Sequence, residues 1–277
     1  MPLKHMRIPK WLDDLIFKAL GGSYAPVHGK MIVKTWDMKR VLEYLGTYFP
    51  RSFSEAIYIF GEYFSSHQDE LKEQTSLSVF DIGCGTGGEL VGLVMAVKNC
   101  LPNVTRINIR AHDGNKHNLV VCEKILKQLA KVVGLEIVYS LHNIDVEDVA
   151  DIELIDEIVK DRYDLVLSFK VVNEIVAGGR FGAVNPYACI LKTFLRKLRC
   201  NGMLCVLDVA IKDEQSQTWL ASMLDEGVRQ CQAQVIARNK SQYFDVFYVT
   251  HSHKSADVSK VVWRILKEGS NEKRLDD

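Results

Sequence analysis

Asp81, Gly83, Gly85 and Gly87 alternate along the stretch SVFDIGCGTGGE at 78–89. A short apolar strand that ends on a carboxylate and breaks into glycines is a place where a ligand can lie against backbone. Glycine lets the chain turn sharply and leaves no Cβ in the way. The same letters satisfy GxGxxG through Gly83, Gly85 and Gly88, so a dinucleotide must be weighed, and glycines alone do not decide. Asp81 separates the readings. A pyrophosphate lies over such a turn and its helix N-terminus, where a carboxylate just before the first glycine would repel it. S-adenosylmethionine has no phosphate and carries a cationic amino group, which an acid suits. The competing reading is a strand-to-helix turn that binds nothing.

The elements that must position this turn follow in the sequence. Residues 104–111 place Val104, Ile107, Ile109 and Ala111 mostly at alternate positions and run into His112, Asp113, Gly114 and Asn115, which predicts a second strand with an acid at its tip. Such a carboxylate can accept both hydroxyls of a ribose, in either cofactor; it can also cap a helix beginning near Lys116. A third strand is expected at 135–139, before His142, Asn143, Ile144 and Asp145. The run YDLVLSF at 163–169 is nearly continuous in apolar residues, as a parallel strand covered on both faces should be, and KVVNEI follows it. A helix begins with Asn185 as N-cap and Pro186 at its first position, with Ile190, Leu191, Phe194, Leu195 and Leu198 before Gly202. Residues 203–209 read as a fifth strand, and a helix is expected from about Gln217. Two last runs, 243–250 and 261–267, are separated by the polar loop HSHKSADVSK and suit an antiparallel closing pair.

Over about 77–267 the chain resembles a class I S-adenosylmethionine-dependent methyltransferase. The resemblance implies an α/β fold with a Rossmann-like, mostly parallel sheet, an antiparallel last strand and an N-terminal helical extension. It implies a methionine cradle at Asp81, Gly83, Gly85 and Gly87, a ribose site at Asp113 with Gly114 and Asn115, and Asp145 at the adenine amino group. Phe169 and Lys170, at the end of the fourth strand, complete the expected cofactor contacts. Asn173 and Glu174 would then stand beside the methyl group as the candidate catalytic pair: Glu174 to take a proton, Asn173 to orient an acceptor nitrogen or oxygen. The alternative for both is structural, as a helix cap and a first-turn acid. Asn185, Pro186 and Tyr187 resemble the NPPY box of amino-methyltransferases, but they lie well beyond the fourth strand and lack the second proline, so helix capping is the expected role.

A second resemblance is shorter. VLEYLGTYFPRSFSEAIYIF at 41–60 and DLVLSFKVVNEI at 164–175 look like the corresponding stretches of the ribosomal small-subunit methyltransferase-like family linked to mitochondrial ribosome assembly. That family commonly carries a cysteine cluster of the iron–sulfur kind, and no four cysteines at ligand spacing occur here.

Composition bounds the rest. The chain has 277 residues, 47% hydrophobic and 25% charged, with no apolar run long enough to cross a bilayer, so no membrane partner is expected. Residues 1–10 lack signal- and transit-peptide features, and the seven cysteines include no CxxC pair; a reducing, cytoplasmic setting follows as the expectation. Cys84 reads as packing. No metal site is expected, since His251 and His253 form an HxH without partner ligands, in what reads as a solvated loop. Net charge is zero, but residues 1–40 carry eight basic against three acidic side chains, whereas 145–164 hold nine acids against Lys160 and Arg162. A basic end can meet phosphates or simply be solvated.

Three regions are expected: 1–76 as a helical cap and substrate region, 77–268 as the S-adenosylmethionine-binding domain, and 269–277 as a flexible tail. Helices are predicted at 11–20, 38–49 and 54–64, the last begun by a Ser54 cap. Tyr44, Tyr48, Phe49, Phe53, Tyr58, Phe60, Tyr63 and Phe64 suit core packing, with base stacking as the alternative. The methyl acceptor is open at this level: RNA or a component of the translation apparatus, a protein, or a small metabolite, with a non-catalytic assembly factor as the remaining alternative.

Overall fold

The computed structural model describes residues 4–26, 35–146, 148–177, 184–214, 216–241 and 243–269. Its sheet is built outward from β2 (Ser76–Ile82), which is buried along all but its first residue. β2 pairs in parallel with β3 (Arg106–Asp113) on one side and with β5 (Tyr163–Phe169) on the other. β4 (Glu136–Asn143) continues beyond β3, and β6 (Leu198–Val209) beyond β5. β9 (Lys254–Lys267) then enters against β6 in the opposite direction, followed by β8 (Asp245–His251), which is antiparallel to β9. The order is β1-β8-β9-β6-β5-β2-β3-β4, with β1 (Lys4–Arg7) at the edge and β7 (Gln234–Arg238) also paired to β9. β9 is thus the one reversed strand among those described. This is the Rossmann-like, mostly parallel α/β sheet with an antiparallel final strand that the sequence predicts.

Helices cover both faces. On one side α2 (Met38–Ser66), which the short α3 (Gln68–Leu71) follows, α4 (Gly88–Cys100) and α5 (Lys116–Val133) close one apolar core. On the other, α6 (Val149–Ile158), α8 (Pro186–Phe194) and α9 (Leu220–Gln230) close a second. Asn185 caps α8 as expected, its side chain accepting from the N–H groups of Tyr187 and Ala188. α2 and α4 approach closely because two glycines one helical turn apart face α2. A Cβ on Gly88 would stand 2.7 Å from the Phe49 carbonyl oxygen, and one on Gly92 2.6 Å from that of Phe53. Gly92→Leu should therefore wedge the helices apart and lower stability by about 1–3 kcal/mol or more, a loss that denaturant unfolding measures.

Several expectations are corrected. The two helices predicted at 38–49 and 54–64 are one, α2, which passes through Pro50; Ser54 lies inside it, its hydroxyl donating to the Arg51 carbonyl. A proline inside a helix costs about 3 kcal/mol, and burial of Phe49, Phe53, Phe60 and Phe64, each contributing about 1.5–3 kcal/mol, offsets it. Residues 11–20 hold a short α1 (Lys10–Asp13) that widens into a π-helical turn, Asp14–Ala19. The N-terminal region is not purely helical, because β1 adds an edge strand beside β8. The expected loop at 251–260 is a hairpin, with β9 beginning at Lys254. Its polar residues hide a strand because Asp257 is buried in an ion pair with Arg51 (2.7 Å) and accepts from the Tyr24 hydroxyl (3.1 Å). His251 is buried rather than solvated, and its ring and that of His253 stack on Phe17. β7 is missed by sequence reading, and β4 and β6 are longer than expected. Most of the predicted tail, 270–277, lies outside the described residues.

Candidate functional site

The parallel strands all end on one side of the sheet. Connections leave β2 toward β3 and β4 but leave β5 toward β6, so the order reverses between β2 and β5; in open α/β sheets ligands bind outside the strand ends at such a switch. Here those ends carry acids: Asp81 on β2, Asp113 on β3 and Asp208 on β6. Asp145 follows β4. Glu174 lies in α7 (Val172–Ala177), which follows β5.

Asp81 is fully buried, and neither of its carboxyl oxygens has a hydrogen-bond donor among the described residues. Glu89, in the first turn of α4, lies beside it and is also buried. Burial pushes the Glu89 carboxyl up to about 8; burial and the neighbouring Glu89 hold that of Asp81 well above the carboxylate range. Two acids so close cannot both ionise freely. Gly83, Gly85 and Gly87 have positive φ angles of 67°, 50° and 85°, the left-handed region that favours glycine. The space over Gly85 is shared with α2, since a Cβ there would stand 3.3 Å from the Tyr44 hydroxyl. Cys84 is buried, and contact with Cys122 together with burial raises its thiol well above the ordinary range.

Asp113 is tied into the glycine turn: Oδ2 accepts from the Gly85 N–H (2.9 Å), and Oδ1 from the Asn115 N–H (2.8 Å) and Asn118 Nδ2 (3.0 Å). Burial still raises its proton affinity. A carboxylate has about four lone-pair sites, of which these donors use three. Asn115 caps α5 and donates to the Trp36 carbonyl (2.9 Å), so its amide is committed to the fold. Asp145 lies against Gly114, where a Cβ would stand 2.5 Å from its Oδ1. Phe169 is buried beside Phe60, with ring centroids 6.2 Å apart. Lys170 has a left-handed backbone, φ 60°, and pairs with the fully buried Glu55 of α2 at 2.7 Å. Burial, with Asp113, Asp208 and Asp145 nearby, raises the Glu174 carboxyl well above its usual range. Asn173, one residue before it, is held by Asp208 through its backbone N–H (2.9 Å).

Sequence reading missed Glu55, Glu89, Asp208 and the placement of Tyr44. Asp208 had a signal, an acid ending an apolar parallel strand just as Asp81 does. Glu55 and Tyr44 had none, because their part in the site depends on where α2 lies. The basic N-terminal stretch is partly neutralised: Lys4 pairs with Asp245, and Lys10 and Lys18 with Asp14. Among the described residues no group of histidines, cysteines and acids could hold a metal ion, and no helix is long and apolar enough to cross a membrane.

No family model and no curated protein matches the chain, so the family resemblances rest on the residues quoted above. Solved structures similar to it include a precorrin-6y C5,15-methyltransferase from Geobacter metallireducens, with 19% identity over 76% of this chain and 88% of that one and a TM-score of 0.43. Another is a putative RNA methyltransferase from Pyrococcus horikoshii, with 12% identity over 96% and 100% and a TM-score of 0.45. A third is a magnesium protoporphyrin IX methyltransferase from Synechocystis solved with its bound methyl donor, with 8% identity over 92% and 89% and a TM-score of 0.43.

Proposed function

We propose that this chain is an S-adenosylmethionine-dependent methyltransferase acting on a nitrogen or oxygen acceptor. The observation that carries this reading is Asp81, a fully buried carboxyl at the mouth of a glycine turn to which no N–H or hydroxyl donates among the described residues and against which the acid Glu89 stands. Leaving such a group unsatisfied is costly, and a cationic amino group is the partner its chemistry calls for. Glu89, Asp113 and Glu174 add acids around the Tyr44 and Gly85 side of the same turn, surroundings that suit a cation better than a pyrophosphate. The residues present therefore fit a cationic, phosphate-free donor.

When bound, S-adenosylmethionine supplies an electrophilic methyl group on a sulfonium. Asp81 would hold its amino group, Asp113 would accept from a ribose hydroxyl, and Asp145 would reach the adenine. Tyr44 of α2 closes the space above Gly85 and excludes water. Glu174 is placed to take the acceptor's proton. Residues 1–76 would then serve as cover and acceptor side, and 77–268 as donor side. Alignment of donor and acceptor is the main task in such an in-line displacement.

Isothermal titration should give S-adenosylmethionine heat and none for a nicotinamide dinucleotide; the reverse pattern overturns the reading. For the acceptor, transfer of radiolabelled methyl groups to fractionated lysate separates RNA, protein and small molecules. An RNA acceptor also requires binding that weakens steeply with salt.

A further inference from the structure

The Asn173 amide has one orientation that satisfies its surroundings. With its nitrogen turned toward the two acceptors nearby, it donates to Asp208 Oδ1 (3.0 Å) and to the Lys170 carbonyl. Asp208 is fully buried and also accepts from the Val209 N–H (2.8 Å), the Asn173 N–H (2.9 Å) and the Tyr187 hydroxyl (3.1 Å). The lone-pair sites of this carboxylate are all used, so it grips Asn173 by both backbone and side chain. Both hydrogens of the Asn173 amide are spent. What remains is Oδ1, a pure acceptor, to which no hydrogen bond is made among the described residues.

We propose that Asp208 is a positioning residue that holds Asn173 with its Oδ1 toward the methyl acceptor, and that the acceptor is an amine. This deepens the methyl-transfer reading above and rests on it. An amine donates to Asn173 Oδ1, whereas a group that only accepts hydrogen bonds finds no partner there. Charge separates an amine from a hydroxyl. A hydroxyl becomes nucleophilic by developing negative charge, here next to Glu174, Asp208, Asp145 and Asp113. An amine instead develops positive charge as it is methylated, which the same acids stabilise. The arriving ammonium first gives a proton to Glu174. The nitrogen lone pair then forms the new N–C bond while the donor's C–S bond breaks and leaves its electron pair on sulfur. The product departs as a methylammonium, and the proton on Glu174 passes to water.

Around Asp208 stand Tyr187 from α8, Lys170 from the turn after β5, and Asn173 and Glu174 from α7. Burial raises Asp208 to about 7. A protonated Asp208 no longer accepts at all its positions, and the Asn173 amide is free to turn.

The test uses the full chain with tritium-labelled S-adenosylmethionine and, as acceptors, a lysine peptide, a polyamine, a phenol and fractionated lysate, with hydrolysed products scored as N-methyl or O-methyl. N-methyl product is expected, with a rate that declines below about pH 7. Asp208→Asn should leave donor affinity within ~2-fold while the turnover rate falls roughly 10- to 100-fold. Tyr187→Phe removes one hydrogen bond that favours the charged form of Asp208, so it should move the acidic limb of the rate profile to higher pH. That shift is a readout that mere loss of folding would not produce. An O-methyl product, donor binding with no methylated nitrogen in any sample, or an Asp208→Asn variant that loses donor affinity in step with rate each overturns the proposal. Absence of any S-adenosylmethionine heat in the wild type removes the methyl-transfer reading itself, and the two failures are thereby told apart.

Discussion

Asp81→Asn should weaken S-adenosylmethionine binding by roughly 10- to 100-fold and, at the same time, raise the melting temperature of the ligand-free protein. Both signs come from one geometry. The Asp81 oxygens are fully buried without a donor among the described residues and lie against the Glu89 carboxyl. With ligand present, a charge-assisted hydrogen bond to the donor's amino group is lost, a change of about 1.5–3 kcal/mol, which at about 1.4 kcal/mol per decade gives the stated range. Without ligand, an asparagine amide donates to Glu89 and relieves the opposed acids. On the methyl-donor reading proposed above, Asp81 would be kept at the expense of stability, a common pattern at binding sites. Calorimetry and thermal melting of the same samples report the two effects; a variant that lowers both affinity and melting temperature would show Asp81 to be structural.

The same pair makes the free protein sensitive to pH. Glu89 titrates at about 8 in the fold against 4.5 ordinarily. A raised folded value means that its contribution is fully present below about 4.5, declines as pH rises, and is gone above about 8. The ligand-free melting temperature of Glu89→Gln should therefore fall less between pH 5 and pH 8 than that of the wild type. Saturating donor should narrow the difference, because its cation restores a partner to the charged acids.

Lys170→Met should cost about 3–5 kcal/mol in urea unfolding, because it strands the Glu55 carboxylate, which is fully buried on α2, without its 2.7 Å partner. The double variant Glu55→Gln with Lys170→Met should recover most of that loss, since the burden is the unpaired charge and not the missing bond. An unchanged unfolding midpoint for the single variant would show that the fold does not depend on the Lys170–Glu55 pair. The pair also joins α2 to the tip of β5, so breaking it loosens the helix that carries Tyr44 over the glycine turn.

Much of the fold is legible in the chain because it rests on local rules. β5 reads as a parallel strand because it is covered on both faces, and α8 begins where Asn185 and Pro186 say it should. Where local rules fail, a distant contact is responsible. Pro50 looks like a helix end, yet α2 continues because its aromatic face is buried. Residues 254–260 look like a loop, yet they form a strand because Arg51 neutralises Asp257, and Tyr24 donates to it, from elsewhere in the chain.

The site divides along the same line. The sequence by itself determined the acid-and-glycine turn at Asp81 to Gly87, the acid at the tip of β3 and the direction of the strands. Glycine in the left-handed region and alternating burial are properties of neighbouring residues. Only the tertiary structure decided that Glu89 stands against Asp81, that Glu55 of α2 holds Lys170, and that Asp208 grips Asn173 and orients its amide. Those facts set charge, proton affinity and hydrogen-bond direction. They depend on burial and on partners far away along the chain, which no window of sequence contains.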